Sequence, residues 1–322
     1  MKLQILITQY NETEDIIRGM LTSISLQRGV DLKKDVEVII ANDGSDVKLS
    51  KEFLDSFSFP IKYLLCEHSG LPGCRAKLFD ASTADYVMFC DADDEFFSHL
   101  GLHTIMRYID RGFDAFASEF YEELCRDGKT VYNVRRNDCI FVHGKVYRRQ
   151  YLIENNIVWH PELKCHQDSC FNILAQKSTK NFVYCKTPFY LWRWREGSIC
   201  RADPYHIPKT YKDLIDSNDM LVRDFLARND RRNAILYANA SLYAAYYNLN
   251  GSIWQDLECV KHRYETEVRI KQFYNKYIAL IASISEPDRE FVIKSMRVQA
   301  ESDGLVMERF SFPDWIRHIK NL

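Results

Sequence analysis

The sequence predicts an α/β protein: a mostly parallel sheet flanked by helices, followed by a helical C-terminal region. Three observations lead there. In the first part of the chain, short apolar runs alternate with amphipathic stretches. Two of those runs, LQILIT at 3–8 and VEVIIA at 36–41, are almost continuously apolar, as strands buried on both faces are. After Pro204 and Pro208 strand-like runs cease, and from 209 onward helical spacing persists with few turn signals.

The elements follow in order. Residues 3–8 read as a strand, and Ile16, Ile17, Met20, Leu21 and Ile24 recur at helical spacing over 13–27. A second strand at 36–41 precedes a helix around 48–57 and a strand at 61–65. A helix near 74–84 leads into the strand YVMFC at 86–90. Residues 114–134 read as strands around the turn Arg126-Asp127-Gly128-Lys129. Residues 145–155 and 167–177 read as helices, and 182–193 returns to extended structure. No internal repeat or low-complexity segment interrupts the chain.

Composition narrows the class. With 46% hydrophobic and 27% charged residues, the balance is that of an ordinary globular protein. A net charge of −2 provides no global basic field for nucleic acid. Aromatics reach 13%, and tyrosine offers a flat apolar face with a polar tip, useful where rings are bound. Ten cysteines without a C-x-x-C pair, and a Met1 that leads straight into an apolar strand without a signal-peptide pattern, suggest reduced thiols and a cytoplasmic location. No apolar run approaches the length of a membrane span.

In open parallel sheets, ligands bind beyond the carboxyl ends of the strands. Three strands end in polar clusters here: Thr8-Gln9-Tyr10-Asn11-Glu12, Asn42-Asp43-Gly44-Ser45, and Asp91-Ala92-Asp93-Asp94. Carboxylates packed at a buried strand end repel one another unless a cation compensates. Oxygen ligands favour a hard divalent ion, Mn²⁺ or Mg²⁺, of the kind that bridges a diphosphate. A solvated acidic loop capping the next helix is the plainer alternative.

Four motifs, ITQYNE at 7–12, ANDGS at 41–45, HSGLPGCRAK at 68–77 and FCDADDEF at 89–96, resemble in order and spacing the family 2 glycosyltransferases of the GT-A fold. The resemblance covers roughly residues 1–200. It implies a metal-dependent, inverting transfer of a sugar from a nucleoside-diphosphate donor, of the UDP-sugar type, to an acceptor hydroxyl. It also implies a nucleotide-sugar-binding and catalytic domain over 1–204, with 205–322 as the helical region. On that basis Thr8, Tyr10 and Glu12 lie on the donor side, Asp43 reads the base edge, and Arg75 sits near the base or diphosphate. Asp91 faces the ribose or a metal-bound water, while Asp93 and Asp94 hold the metal. Asn42 departs from a common Asp.

Inverting transfer also needs a base for the acceptor hydroxyl. The family's Asp at a helix start matches Asp168 in His166-Gln167-Asp168-Ser169, with Gln167 in place of the usual Glu. The competing role for Asp168 is an N-cap. FVHGKVYRR at 141–149 resembles an acceptor-side element, which puts His143 and Lys145 there. WRWREGS at 192–198 resembles a loop that closes on the donor diphosphate through Arg195 and Ser198, with Trp192 and Trp194 free to stack on a ring.

Two other functions are compatible with this fold. Sugar-phosphate nucleotidyltransferases usually open with a Gly-rich loop after the first strand, which TQYNETED lacks. A binding protein would have lost the D-x-D or the base. The acceptor is a glycan or other hydroxyl compound. DNA is the alternative, since the HGK-x-Y-R-R element faintly resembles phage-encoded relatives that modify hydroxymethylated bases. In the helical region, Arg231, Arg232, Lys261, Arg263 and Arg269 alternate with Tyr243, Tyr246, Tyr247 and Trp254, as gripping cations and stacking rings would.

Overall fold

The structure, a computed structural model, describes residues 1–196, 203, 205–305 and 311–322. The chain divides into two compact units, Met1–Glu196 and Gly197–Leu322. The first carries a sheet of nine strands among the described residues. Its strands are β1 (Leu3–Gln9), β2 (Val36–Asp43), β3 (Ile61–Cys66), β4 (Tyr86–Asp91), β5 (Glu95–Phe96), β6 (Ala115–Arg126), β7 (Lys129–Arg135), β8 (Lys145–Arg148) and β9 (Phe182–Trp192). They lie in the order β3-β2-β1-β4-β8-β6-β9-β5, with β7 paired to β6.

The first four strands in that order are parallel. Beyond β4 the sheet is mixed: β8 is antiparallel to both β4 and β6, and β9 is parallel to β6. β1 and β2 are buried almost throughout, as their continuous apolar runs require, while the edge strand β3 is only half-buried. The order reverses between β2-β1 and β4. That switch point leaves a crevice beyond the strand ends, where Thr8 pairs in register with Asp91.

The first unit's helices are α1 (Glu14–Ser25), α2 (Leu32–Asp35), α3 (Lys51–Asp55), α4 (Gly70–Ala81), α5 (Gly101–Ile109), α6 (Arg149–Glu154) and α7 (Gln167–Lys177). α1 buries Ile17, Met20, Leu21 and Ile24, the stripe that its spacing predicts. Two expectations need correction. Residues 145–148 form a strand, and the helix begins only at Arg149. α4 starts four residues before the expected 74, at Gly70. α5 and the two-residue β5 were not foreseen.

The second unit is helical. It contains α8 (His206–Ala227), α9 (Arg231–Leu249), α10 (Leu257–Ala282), α11 (Glu286–Ser302) and α12 (Phe312–Asn321). The aromatic residues expected to stand between its cations are interior: Tyr243, Tyr246, Tyr247 and Trp254 are all buried. Tyr243 and Tyr246 pack on Phe312. Several of the cations pair within the unit, Arg232 with Asp288, Arg263 with Glu267 and Arg269 with Asp216. The feature that suggested stacked bases is therefore a helical core with a charge-paired surface. No helix among the described residues is long and apolar enough to cross a membrane.

Candidate active site

Each polar strand end has a distinct job. At the end of β2, Asn42 pins the following turn. Its amide donates to the Val47 carbonyl at 2.8 Å and to the Tyr63 hydroxyl at 3.1 Å, and its carbonyl accepts from Ser45 N. A carboxylate cannot donate, which accounts for Asn at this position. Asp43 is buried and accepts from the backbone N and hydroxyl of Ser69, with His68 Nδ1 3.0 Å from its second oxygen. The exposed Tyr10 ring leans on His68, with centroids 4.8 Å apart. Tyr10, His68 and Asp43 thus form one wall beyond β1 and β2. His68 is a member that sequence reasoning did not single out.

Arg75, on α4, is fully buried and stacks over Trp159 at 4.9 Å. Its guanidinium joins a strand-end carboxylate to a helix-start one: Nη2 lies 2.8 Å from Asp91 Oδ1, and Nη1 holds Asp168 Oδ1. Arg75 therefore spends its charge inside the protein. Burial pushes the Asp168 carboxyl up from its ordinary value, and the Arg75 charge opposes that push. Asp168 sits in the first turn of α7, but the N-cap position belongs to His166, in left-handed conformation. Asp168 is therefore not the cap. Among the described residues, its Oδ2 carries no hydrogen bond.

The acidic strand end splits into two environments. Asp94 is enclosed. The Tyr190 hydroxyl donates to Oδ2 at 2.8 Å, Arg193 N donates to Oδ1 at 3.0 Å, and His143 Nδ1 stands 3.2 Å from Oδ2. Burial raises its carboxyl above the usual range against the pull of His143. Asp91 and Asp93 keep 29% and 27% of their side chains exposed, and so face the crevice. Burial and the neighbouring Asp94 and Asp91 push Asp93 up to about 7. Arg195 partly offsets that charge, with Nε 3.1 Å from Asp93 Oδ2 and Nη2 3.7 Å from Glu12 Oε1. Burial also raises Glu12, whose carboxylate accepts from Tyr10 N.

These residues fit a divalent cation. Ligand atoms of Asp91, Asp94 and His143 lie within 4.8 Å of one another, and the ionisation of Asp93 beside them is resisted by burial and by the neighbouring Asp94 and Asp91 charges, which a cation would offset. Oxygen ligands with one imidazole suit Mn²⁺ better than Mg²⁺.

The His-Gly-Lys stretch has a structural logic of its own. His143 stacks among Tyr190, Trp192 and Phe141. Gly144 has φ +65°, and a Cβ there would overlap the Ser118 hydroxyl, so the turn can approach β6 only without a side chain. Lys145 is buried and pairs with Asp138 at 2.8 Å. The pair expected on the acceptor side thus packs inside the fold beneath the acidic strand end. Trp192 belongs to the same ring cluster, while Trp194 remains 38% exposed. Ser198 lies outside the described residues.

The fold and this crevice define a doubly wound α/β protein whose candidate ligand site is made of acidic strand ends at the switch point. The chain belongs to glycosyl transferase family 2, whose model matches residues 4–187, and has the GT-A fold. It is 21% identical over 226 residues to glycosyltransferase GlyA of Streptococcus pneumoniae serotype 4, spanning 62% of this chain and about a third (32%) of that relative's length. The fold is similar to that of S. aureus TarS residues 1–349, with TM-score 0.63, 16% identity and coverage of 93% of this chain and 92% of that one. The same TarS fragment in complex with UDP gives TM-score 0.62, again at 16% identity, covering 93% of this chain and 89% of that one.

Proposed function

We propose that this chain is an inverting, cation-assisted transferase that moves a sugar from a UDP-type donor to an acceptor hydroxyl, with Asp168 as general base. The observation that carries the reading is the Arg75 bridge, which ties the donor-side Asp91 to Asp168 across the crevice. The donor nucleoside is assigned to the wall of Tyr10, His68 and Asp43, where an exposed ring adjoins a buried carboxylate. A UDP-type donor is favoured because a fragment of similar fold binds UDP.

Asp91, Asp93 and Asp94, with His143 behind them, would hold the divalent ion. When bound, it supplies positive charge for the departing diphosphate. Arg195, now on Asp93 and Glu12, is within reach to add a cationic hydrogen-bond donor on the same side. Arg75 orients Asp168 and favours its ionised form, leaving Oδ2 to accept the proton of the acceptor hydroxyl. The acceptor oxygen then bonds to the anomeric carbon as the bond to the diphosphate oxygen breaks on the opposite face. No covalent enzyme intermediate is required, and the anomeric configuration inverts.

The test is product stereochemistry together with donor dependence. Incubating the chain with UDP-sugars, Mn²⁺ and a panel of hydroxyl acceptors should give transfer with inverted anomeric configuration, read by NMR. Retention of configuration would rule out Asp168 as the base of a single displacement.

A further inference from the structure

A cleft of about 430 Å³ opens between α1 and β5, beside the acidic strand end but separate from the donor wall. One wall is a helical stripe of α1 that includes Asp15, Arg18 and Thr22. The other is Glu95, Phe97 and His99. Gly19 allows the two walls to approach: a Cβ there would come within 2.6 Å of Glu95 Oε1. Glu95 in turn pairs with Arg193 at 2.6 Å, and Arg193 Nε lies 3.7 Å from Glu123. Glu123 also accepts from Trp194 N, one residue before the Arg195 that reaches Asp93. The cleft is thus linked to the reaction crevice through consecutive residues of one segment.

Its chemistry is specific. Phe97 is 52% exposed, and its ring meets Tyr121 at 4.6 Å and the exposed Tyr132 at 6.4 Å, making a broad aromatic surface at the rim. Among the described residues, the side chains of Asp15, Thr22 and His99 have no hydrogen-bond partner in the protein. Exposed rings beside unspent hydroxyl, carboxylate and imidazole groups are what a sugar needs: an apolar C–H face to stack and a rim of hydroxyls to bond. The charges argue against a polyanion. Asp15, Glu95 and Glu123 outnumber Arg18 and Arg193, so a phosphate-rich chain would meet net repulsion.

We infer that this cleft is a subsite for a neutral saccharide, holding the part of the acceptor that lies beyond the reacting hydroxyl. The inference rests on the transferase reading for its role, but the binding can be tested without turnover. Maltose, lactose and N,N′-diacetylchitobiose serve as neutral probes and inorganic polyphosphate as the anionic one, titrated up to ~10 mM by saturation-transfer NMR. UDP binding is measured alongside on the donor wall. Phe97→Ala removes the ring, and Thr22→Trp fills the cleft from an exposed helix position. At least one disaccharide should bind saturably, and both substitutions should weaken it about tenfold or more, the scale of one lost ring contact. UDP affinity and melting temperature should stay at wild-type values. Binding by polyphosphate alone, by no disaccharide, or by a disaccharide that tolerates either substitution would overturn the assignment. Failure of the transferase reading would appear separately, as absent UDP-sugar turnover in the unmodified chain.

Discussion

Arg195 Nε stands 3.1 Å from Asp93 Oδ2, so a cation already faces a carboxylate whose ionisation burial resists. Asp93 is pushed up to about 7 even with that partner. A divalent ion there must displace a proton below that pH. Mn²⁺ affinity in the presence of UDP should therefore fall about tenfold per unit as pH drops from 7 to 5 and level off above 8. Calorimetric titration across that range checks this, and a flat profile would remove Asp93 from the ligand set.

The same carboxylate has a stability consequence. Its folded pKa lies above its ordinary value of 3.8, so between 3.8 and about 7 the folded chain holds a proton that the unfolded chain has released. Stability therefore falls as pH rises through that window. The shift corresponds to roughly 4 kcal/mol at most, less what solvent screens at a part-exposed side chain. Asp93→Asn, measured without metal at pH 8, should raise the melting temperature by several degrees while abolishing transfer. A lower melting temperature would mean that the Arg195 pairing outweighs the burial penalty.

Arg75 is the opposite case, a buried charge whose two partners satisfy it. Arg75→Met would leave Asp91 and Asp168 near each other without their shared cation. Removing one member of a buried ionic group costs about 3–5 kcal/mol. Urea denaturation should register a loss of that order, reduced at low pH where the stranded Asp168 carboxyl, already raised by burial, takes up a proton. A variant as stable as the parent at pH 8 would show that the bridge contributes little.

Much of this site was legible in the sequence, and the reason is physical. Apolar runs that stop abruptly at Thr8, Asn42 and Asp91 mark strand ends, and the parallel order brings those ends together. The contacts that cross the sheet were not legible. Nothing near His143 points to Asp94, because the pairing is made by β8 and β9 docking beyond β4. Residues 145–148 were expected to be helical because four residues carry no decisive period; pairing with β4 and β6 settles them as strand. The interleaved tail aromatics matched two patterns, a stacking surface and a helical core, and only burial separates the two.

Gly144 offers a test of the packing beneath the acidic strand end. Gly144→Ala should destabilise through both its φ of +65° and the clash with Ser118. About 1 kcal/mol is expected from the backbone and more from the overlap. Adding Ser118→Gly should recover the overlap part and leave the backbone part. Because His143 is the preceding residue, transfer activity should follow the same partial recovery. Additive losses in the double variant would show that the two positions do not meet.

Asp168→Asn is the decisive substitution for the mechanism. Asn keeps the shape and can still accept one hydrogen bond from Arg75, but it cannot take the acceptor's proton. Transfer should fall by about 10²–10⁴, the usual worth of positioned proton transfer. The loss should lie in kcat, with UDP-sugar affinity near that of the parent, since the wall of Tyr10, His68 and Asp43 proposed for the donor is separate from the α7 carboxylate. Stability should also drop, because Arg75 loses one of its two countercharges, and this separates the present arrangement from a helix cap. A cap would accept Asn almost without cost, but the cap position is His166. A variant that transfers at the parental rate would sink the base assignment. One whose donor affinity collapses while the residual kcat is unchanged would instead place Asp168 in donor binding.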